Sequence, residues 1–145
     1  MRMMVFLDTN VLNYALLSQD TQKRNLALKI LSKALSSDDF AISVQVLSEC
    51  ANVLFKKGGM AAKMVSQCVD YLQQIGNIIP LTTQILRRAI EIKALYGLQF
   101  YDAQIIAAAE KAECNEIWSE DLGDGQLYCG IRCVNPFDKS SFSMM

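Results

Sequence analysis

The run Met3-Met4-Val5-Phe6-Leu7 contains no polar residue and stops abruptly at Asp8-Thr9-Asn10. A strand with one wet face alternates apolar and polar residues, so an unbroken apolar run reads as a strand buried on both faces. Strands of that kind belong to parallel sheets covered by helices above and below. The polar residues that close the run read as a turn leading into a short helix. Asp8 and Asn10 interrupt the run well before the length that a signal-peptide core or a membrane span needs, so no membrane association is expected.

The remainder of the chain alternates helical and strand patterns. Leu26, Ala27, Ile30, Leu31, Ala34 and Leu35 recur at helical spacing, with Lys23, Arg24, Lys29 and Lys33 elsewhere around the wheel. Phe40-Ala41-Ile42-Ser43 reads as a second strand after the polar Ser36-Ser37-Asp38-Asp39. Val46, Leu47, Cys50, Ala51 and Leu54 mark a helix over residues 45–55, stopped by Lys57-Gly58-Gly59, and helical spacing resumes over 60–75. Ile78-Ile79-Pro80-Leu81 reads as an edge strand, since proline donates nothing to an interior ladder. Thr82 or Thr83 then caps a helix carrying Ile85, Leu86, Ala89, Ile90 and Leu95. Gly97 precedes a helix over 101–109 that is apolar on almost every side and therefore expected to be buried, with Asp102 in its first turn. Two short strands follow, at Glu116-Ile117-Trp118-Ser119 and Gly130-Ile131-Arg132-Cys133-Val134. The expectation is an α/β fold with a mainly parallel sheet of about five short strands, in one domain over residues 1–138, with a loose tail at 139–145.

Composition narrows the chemistry. The formal charge is −1, so the chain lacks the basic excess of a nonspecific nucleic-acid binder and any such contact must be local. It contains no histidine, which removes Ser/His/Asp triads, Cys/His dyads and imidazole-based zinc sites together. The five cysteines, Cys50, Cys68, Cys114, Cys129 and Cys133, form no C-x-x-C pair and fit a reducing, cytoplasmic interior. Carboxylates remain as the obvious reactive groups.

In parallel α/β sheets, ligands bind outside the carboxyl ends of the strands. Asp8 follows the first strand, Asp121 follows the Trp118 strand, Asp102 opens the buried helix and Glu49 lies in the helix after the second strand. All four can converge at one edge. Crowded carboxylates repel unless a cation neutralises them, and hard divalent ions such as Mg²⁺ or Mn²⁺ favour oxygen ligands. Such a site supports phosphodiester hydrolysis without histidine.

Each residue also has a plain structural reading. Asp8 and Asp102 suit helix N-termini as caps; Glu49 lies off the apolar stripe of its helix, as a solvated glutamate would. Asp121 shares its turn with Glu120 and Asp124, either of which competes for the same role. Thr9, Asn10 and Ser119 are candidate auxiliary groups that orient ligands or water, or else simple turn formers. Lys56, Lys57, Lys63, Arg87, Arg88 and Lys93 are candidate phosphate contacts, although scattered charge ordinarily marks a solvated face. Tyr14, Phe55, Tyr96, Phe100 and Tyr101 read as core or partner-facing aromatics rather than base-stacking platforms.

Taken in order, Asp8-Thr9-Asn10-Val11-Leu12, Val46-Leu47-Ser48-Glu49, residues 100–109 from Phe100-Tyr101-Asp102 onward, and Trp118-Ser119-Glu120-Asp121-Leu122 resemble the motifs of PIN domains, over about residues 4–137. Within that family the chain resembles bacterial and archaeal VapC-like toxins, the nuclease halves of toxin–antitoxin pairs. The resemblance implies a three-layer α/β/α sandwich, Mg²⁺- or Mn²⁺-dependent cleavage of RNA, frequent homodimers and inhibition by a cognate antitoxin. It maps the acidic site onto Asp8, Glu49, Asp102 and Asp121, with Thr9, Asn10 and Ser119 as auxiliary positions; Ser119 stands where threonine is commoner.

Two other functions are weighed against this. A haloacid-dehalogenase-like phosphatase needs a second aspartate two positions after the first, where this chain has Asn10; a receiver domain wants an acidic pair and a late lysine, and Lys111 and Lys139 are poorly placed. The stronger rival is a catalytically weak PIN-like module that dimerises or captures a partner.

Overall fold

The computed structural model describes residues 2–138, and the tail expected at 139–145 lies outside them. Strand β1 (Val5–Leu7) is buried at all three positions, as its unbroken apolar run requires. Helix α1 (Thr9–Leu17) follows with no separate turn, because Asp8 is its N-cap and accepts the Thr9 N–H at 2.7 Å. The polar turn expected here is therefore the helix's own cap and first turn.

Asp20 caps α2 (Thr21–Leu35), which buries Ala27, Ile30, Leu31 and Ala34. All four residues of β2 (Phe40–Ser43) are buried, and Ser43 caps α3 (Val44–Lys56) by accepting the Val46 N–H at 3.2 Å. The chain leaves α3 at Gly58, where a Cβ would stand 2.7 Å from the Leu54 carbonyl oxygen. Helix α4 (Ala62–Leu72) is shorter than the periodicity suggested, and β3 (Asn77–Ile79) ends just before Pro80. Thr82 caps α5 (Thr83–Tyr96) and Gly97 closes it at φ 68°, a left-handed conformation that glycine adopts without strain. Helix α6 (Phe100–Lys111) buries seven consecutive residues, Ala103 through Ala109. β4 (Glu116–Trp118), β5 (Leu127–Tyr128) and β6 (Ile131–Val134) complete the chain.

The sheet has six strands in the order β3-β2-β1-β4-β6-β5, one more than expected. All neighbours are parallel except β5, which pairs antiparallel with β6 at an edge. β3 lies at the other edge, as Pro80 predicted. From β1 the chain steps outward to β2 and β3, then returns across the sheet to β4 on the other side of β1. With right-handed crossovers, this reversal puts α1–α4 on one face and α5–α6 on the other, giving three layers. It also creates a switch point between β1 and β4, whose carboxyl ends diverge there into a crevice.

Candidate active site

Asp8 leaves β1 and Ser119 leaves β4 at this switch point. The Asp8 N–H donates to the Trp118 carbonyl at 3.1 Å, so the backbones stay paired as they enter the site. The Asp8 side chain is 6% exposed; its Oδ1 accepts the Thr9 N–H, and its Oδ2 accepts the Ser119 hydroxyl at 2.8 Å. Ser119 Oγ in turn accepts the Asp121 N–H at 3.1 Å, which folds the loop after β4 back towards Asp8.

Glu49 is half-buried, not a solvated surface glutamate. Thr9 Oγ1 donates to its Oε1 at 2.6 Å and Gln45 Nε2 to its Oε2 at 3.4 Å. Gln45 is held through its own Oε1, which accepts Gln104 Nε2 at 2.7 Å, so a polar chain runs from α6 through α3 to the carboxylate. Gln104 and Gln45 were not singled out from sequence. The available signal was Gln104 itself, one amide within the otherwise apolar stretch 103–109.

Asn10 latches the β4 loop with both ends of its amide: Nδ2 donates to Asp121 Oδ2 at 3.1 Å, and Oδ1 accepts the Glu120 N–H at 3.2 Å. The three acidic residues of that loop divide clearly. Asp121 faces the cleft. Glu120 is paired with Lys23 Nζ at 2.6 Å and accepts the Tyr14 hydroxyl, while Asp124 accepts the Asn135 N–H at 2.9 Å. Burial alone would raise the Glu120 carboxyl, but Lys23 and Tyr14 hold it below its ordinary value.

A cleft of about 350 Å³ is lined by Asp8, Glu49, Asp102 and Asp121, with Asn10 and Asn13 beside them. None of these four carboxylates forms an ion pair with a lysine or arginine among the described residues. The consequence appears in their acidity. Burial, with the charges of Glu49 and Asp121 adding to it, pushes Asp8 up to about 6 against the opposing Ser119 and Thr9 hydrogen bonds. Asp102 is likewise raised, first by burial and then by Asp121 and Glu49.

The candidate phosphate contacts separate in the same way. Arg88 is committed to Glu110 by two hydrogen bonds, at 2.8 and 3.1 Å, and Lys93 donates to the Leu98 carbonyl at 3.2 Å. Lys56, Lys63 and Arg87 are exposed, and Lys57 lines a second cavity beside the acidic cleft. Of the aromatics, Tyr14 packs edge-on against Phe137, whereas Phe55 and Tyr101 are exposed.

The donor set fits a hard divalent cation: oxygen ligands only, negative, partly desolvated and without a protein counter-charge. No three of these carboxylates are already gathered into a closed ion cage among the described residues. Mg²⁺ typically keeps several waters and uses one or two carboxylates directly, so an open arrangement of this kind suits it.

The sequence profile of the PIN domain matches residues 5–123. No curated protein matches the chain. Among solved structures it is similar to a toxin–antitoxin complex from Klebsiella pneumoniae, at 22% identity and a TM-score of 0.69, covering 92% of this chain and 98% of that one. It is also similar to the VapC20 toxin of Mycobacterium tuberculosis, a sarcin-ricin loop cleaving toxin, at 17% identity and a TM-score of 0.67, covering 88% and 98%. A third is VapBC2 from Rickettsia felis bound to a promoter DNA fragment, at 16% identity and a TM-score of 0.64, covering 90% and 97%. At these identities the likeness is one of fold. With the profile spanning most of the chain, and the acidic cleft at the switch point of a parallel sheet, the protein belongs to the PIN-domain family of nucleases.

Proposed function

We propose that this protein is a metal-dependent endoribonuclease and the toxin of a toxin–antitoxin pair, with Mg²⁺ or Mn²⁺ held by Asp8, Glu49, Asp102 and Asp121. The observation that carries this reading is the convergence of four carboxylates, from four separate segments of chain, in one cleft without a protein cation to balance them. When bound, a divalent ion supplies Lewis-acid activation of water and neutralises charge on the phosphate. The chain's own residues supply position. Thr9 N–H and Ser119 fix both oxygens of Asp8, the Thr9 hydroxyl fixes Glu49, and Asn10 fixes Asp121. Asp102 accepts no hydrogen bond among the described residues, and its oxygens are left for ligand or water.

RNA as the substrate, and an antitoxin as the partner, are supported by membership of the family and by the toxin–antitoxin complexes among the structural neighbours. A homodimer is supported by the exposed apolar side chains Leu86, Ile90 and Leu95 on α5. No helix among the described residues is long and apolar enough to cross a membrane, and all five cysteines are free, which suits a cytoplasmic location.

One observation favours a second reading, a PIN-like binding module without useful catalysis: the carboxylates are not pre-gathered into an ion cage. The experiment that separates the two is incubation of purified protein with structured transfer, ribosomal and messenger RNAs in Mg²⁺ or Mn²⁺, beside EDTA and the Asp8→Asn/Asp102→Asn variant. The nuclease reading expects cleavage only with metal and intact carboxylates. Cleavage that survives both controls, or none on any RNA while a partner still binds, contradicts it.

A further inference from the structure

A second cavity opens directly from the acidic cleft. It measures about 450 Å³, shares Asn10, Asn13, Val53 and Asp121 with the cleft, and continues to Tyr14, Leu17 and Lys57. Ligand pockets commonly occupy about 300–1,000 Å³, so the space suits a small molecule or one residue of a polymer. Its walls carry apolar surface and a lysine beside two carboxylates, Asp121 at the border with the acidic cleft and Glu120, which Lys23 neutralises. Leu17, Val53 and Tyr14 offer apolar surface, and Tyr14 is a fixed wall because Phe137 packs edge-on against its ring while Glu120 and Lys23 hold its hydroxyl. Lys57 is exposed and takes no part in the ion pairs of the described residues.

Between the two cavities stands Asn13. Its Oδ1 is the one buried side-chain polar atom among the described residues with no hydrogen-bond partner. Buried polar atoms are nearly always satisfied, and an apolar residue would fill this helical position without the penalty of an orphaned carbonyl. Asn10, one turn earlier, uses both ends of its amide inside the protein. Asn13 therefore brings an uncommitted amide to the wall of the acidic cleft. The terminal torsion of asparagine is broad and roughly two-fold, so a half-turn presents either its acceptor or its donors to a ligand.

We infer that this cavity is the subsite for the nucleotide next to the scissile phosphate, with Asn13 reading the edge of its base and Lys57 meeting an adjoining backbone phosphate. The inference rests on the nuclease reading of the acidic cleft. Single-stranded RNA is recognised by splayed bases that lie against apolar or aromatic side chains and hydrogen-bond along their edges, and an asparagine amide can pair with a base through a donor and an acceptor together. A lysine at the rim supplies charge without sequence preference.

The test is titration of ¹⁵N-labelled full-length protein with each of the four nucleoside 5′-monophosphates, which contain no phosphodiester to cleave, following the Asn13 side-chain amide and the Lys57 backbone signal. The expected result is movement of both signals at millimolar ligand, with one or two bases preferred. Asn13→Leu is expected to weaken the preferred base about tenfold and level the four, whereas Lys57→Gln weakens all four alike. An Asn13 amide unmoved by all four, or an unchanged base order in Asn13→Leu, overturns the assignment and leaves the cavity to a protein partner. The two readings fail separately. RNA cleavage with a silent Asn13 amide removes the subsite alone, while a responsive amide in a protein that cleaves no RNA removes the catalytic reading and keeps a nucleotide site.

Discussion

At Asp8 one carboxylate caps a helix, accepts the Ser119 hydroxyl and faces two further carboxylates. Its value in the folded protein, about 6, lies above the 3.8 of an ordinary aspartate, so the folded state resists its ionisation. Below about pH 4 both folded and unfolded chains hold the proton and stability is unaffected. As pH rises towards 6 the unfolded chain ionises first and stability falls; above that the loss is complete, on the order of 3 kcal/mol. In metal-free protein, thermal melts between pH 4 and 7 should therefore show a decline that Asp8→Asn reduces, the remainder coming from the raised Asp102, and the variant should be more stable than wild type at pH 7. An unchanged pH profile in the variant would place the titration elsewhere. Thr9→Val tests a different link, since the Thr9 hydroxyl is the strongest hold on Glu49. Losing such a ligand-orienting hydrogen bond should lower Mn²⁺ affinity about 10–100-fold by calorimetry; unaltered affinity would mean that Glu49 needs no help. Asp8, Asp102 and Asp121 could be picked out in sequence because each follows a strand or opens a helix; Glu49, in the middle of α3, stood out mainly through the resemblance. Gln45 and Gln104 were hidden because they meet only through the fold, across two helices far apart in the chain, although Gln45 lies one helical turn from Glu49.

Helices α1 and α3 carry Asp8's cap contacts and Glu49, and both begin on a residue at the carboxyl end of a strand, Asp8 and Ser43. Removing the Ser43 hydroxyl frees the Val46 N–H at the start of α3; Ser43→Ala should cost about 1 kcal/mol in chemical denaturation. At the other end of α3, Gly58→Ala pushes a methyl group against the Leu54 carbonyl, 2.7 Å from where its Cβ would lie. A loss of about 1–3 kcal/mol is expected; a neutral result would show that this turn yields easily. The long periodic helices and apolar strands were readable because burial on a sheet face imposes a pattern over many residues. β5 was not, because Leu127–Tyr128 is two residues between glycine-bearing turns, too short to display alternation. The end of α4 was misread because apolar spacing continues to Ile75, which is buried beyond the helix's last turn.

Across the whole molecule, function follows from strand order. Because β1 and β4 are neighbours although β2 and β3 intervene in sequence, residues more than a hundred positions apart meet at one crevice. Sequence pattern pointed to the alternation of strands and helices, and the resemblance to three layers, but neither contained that order, which only the paired strands reveal. The exposed apolar pair Leu86 and Ile90, one turn apart on α5, belongs to this scale as well. If it joins two copies, Leu86→Lys/Ile90→Lys should turn a dimer into a monomer in light scattering, while a wild-type monomer at every concentration would remove the dimer. The central claim is that the crevice between β1 and β4 is a divalent-metal site. It is tested most directly by titrating metal-free wild type and the Asp8→Asn/Asp102→Asn variant with Mn²⁺, counting bound ions by electron paramagnetic resonance. The account predicts at least one ion bound by the wild type and none at that site in the variant; equal binding by the two, or none by either, would contradict it.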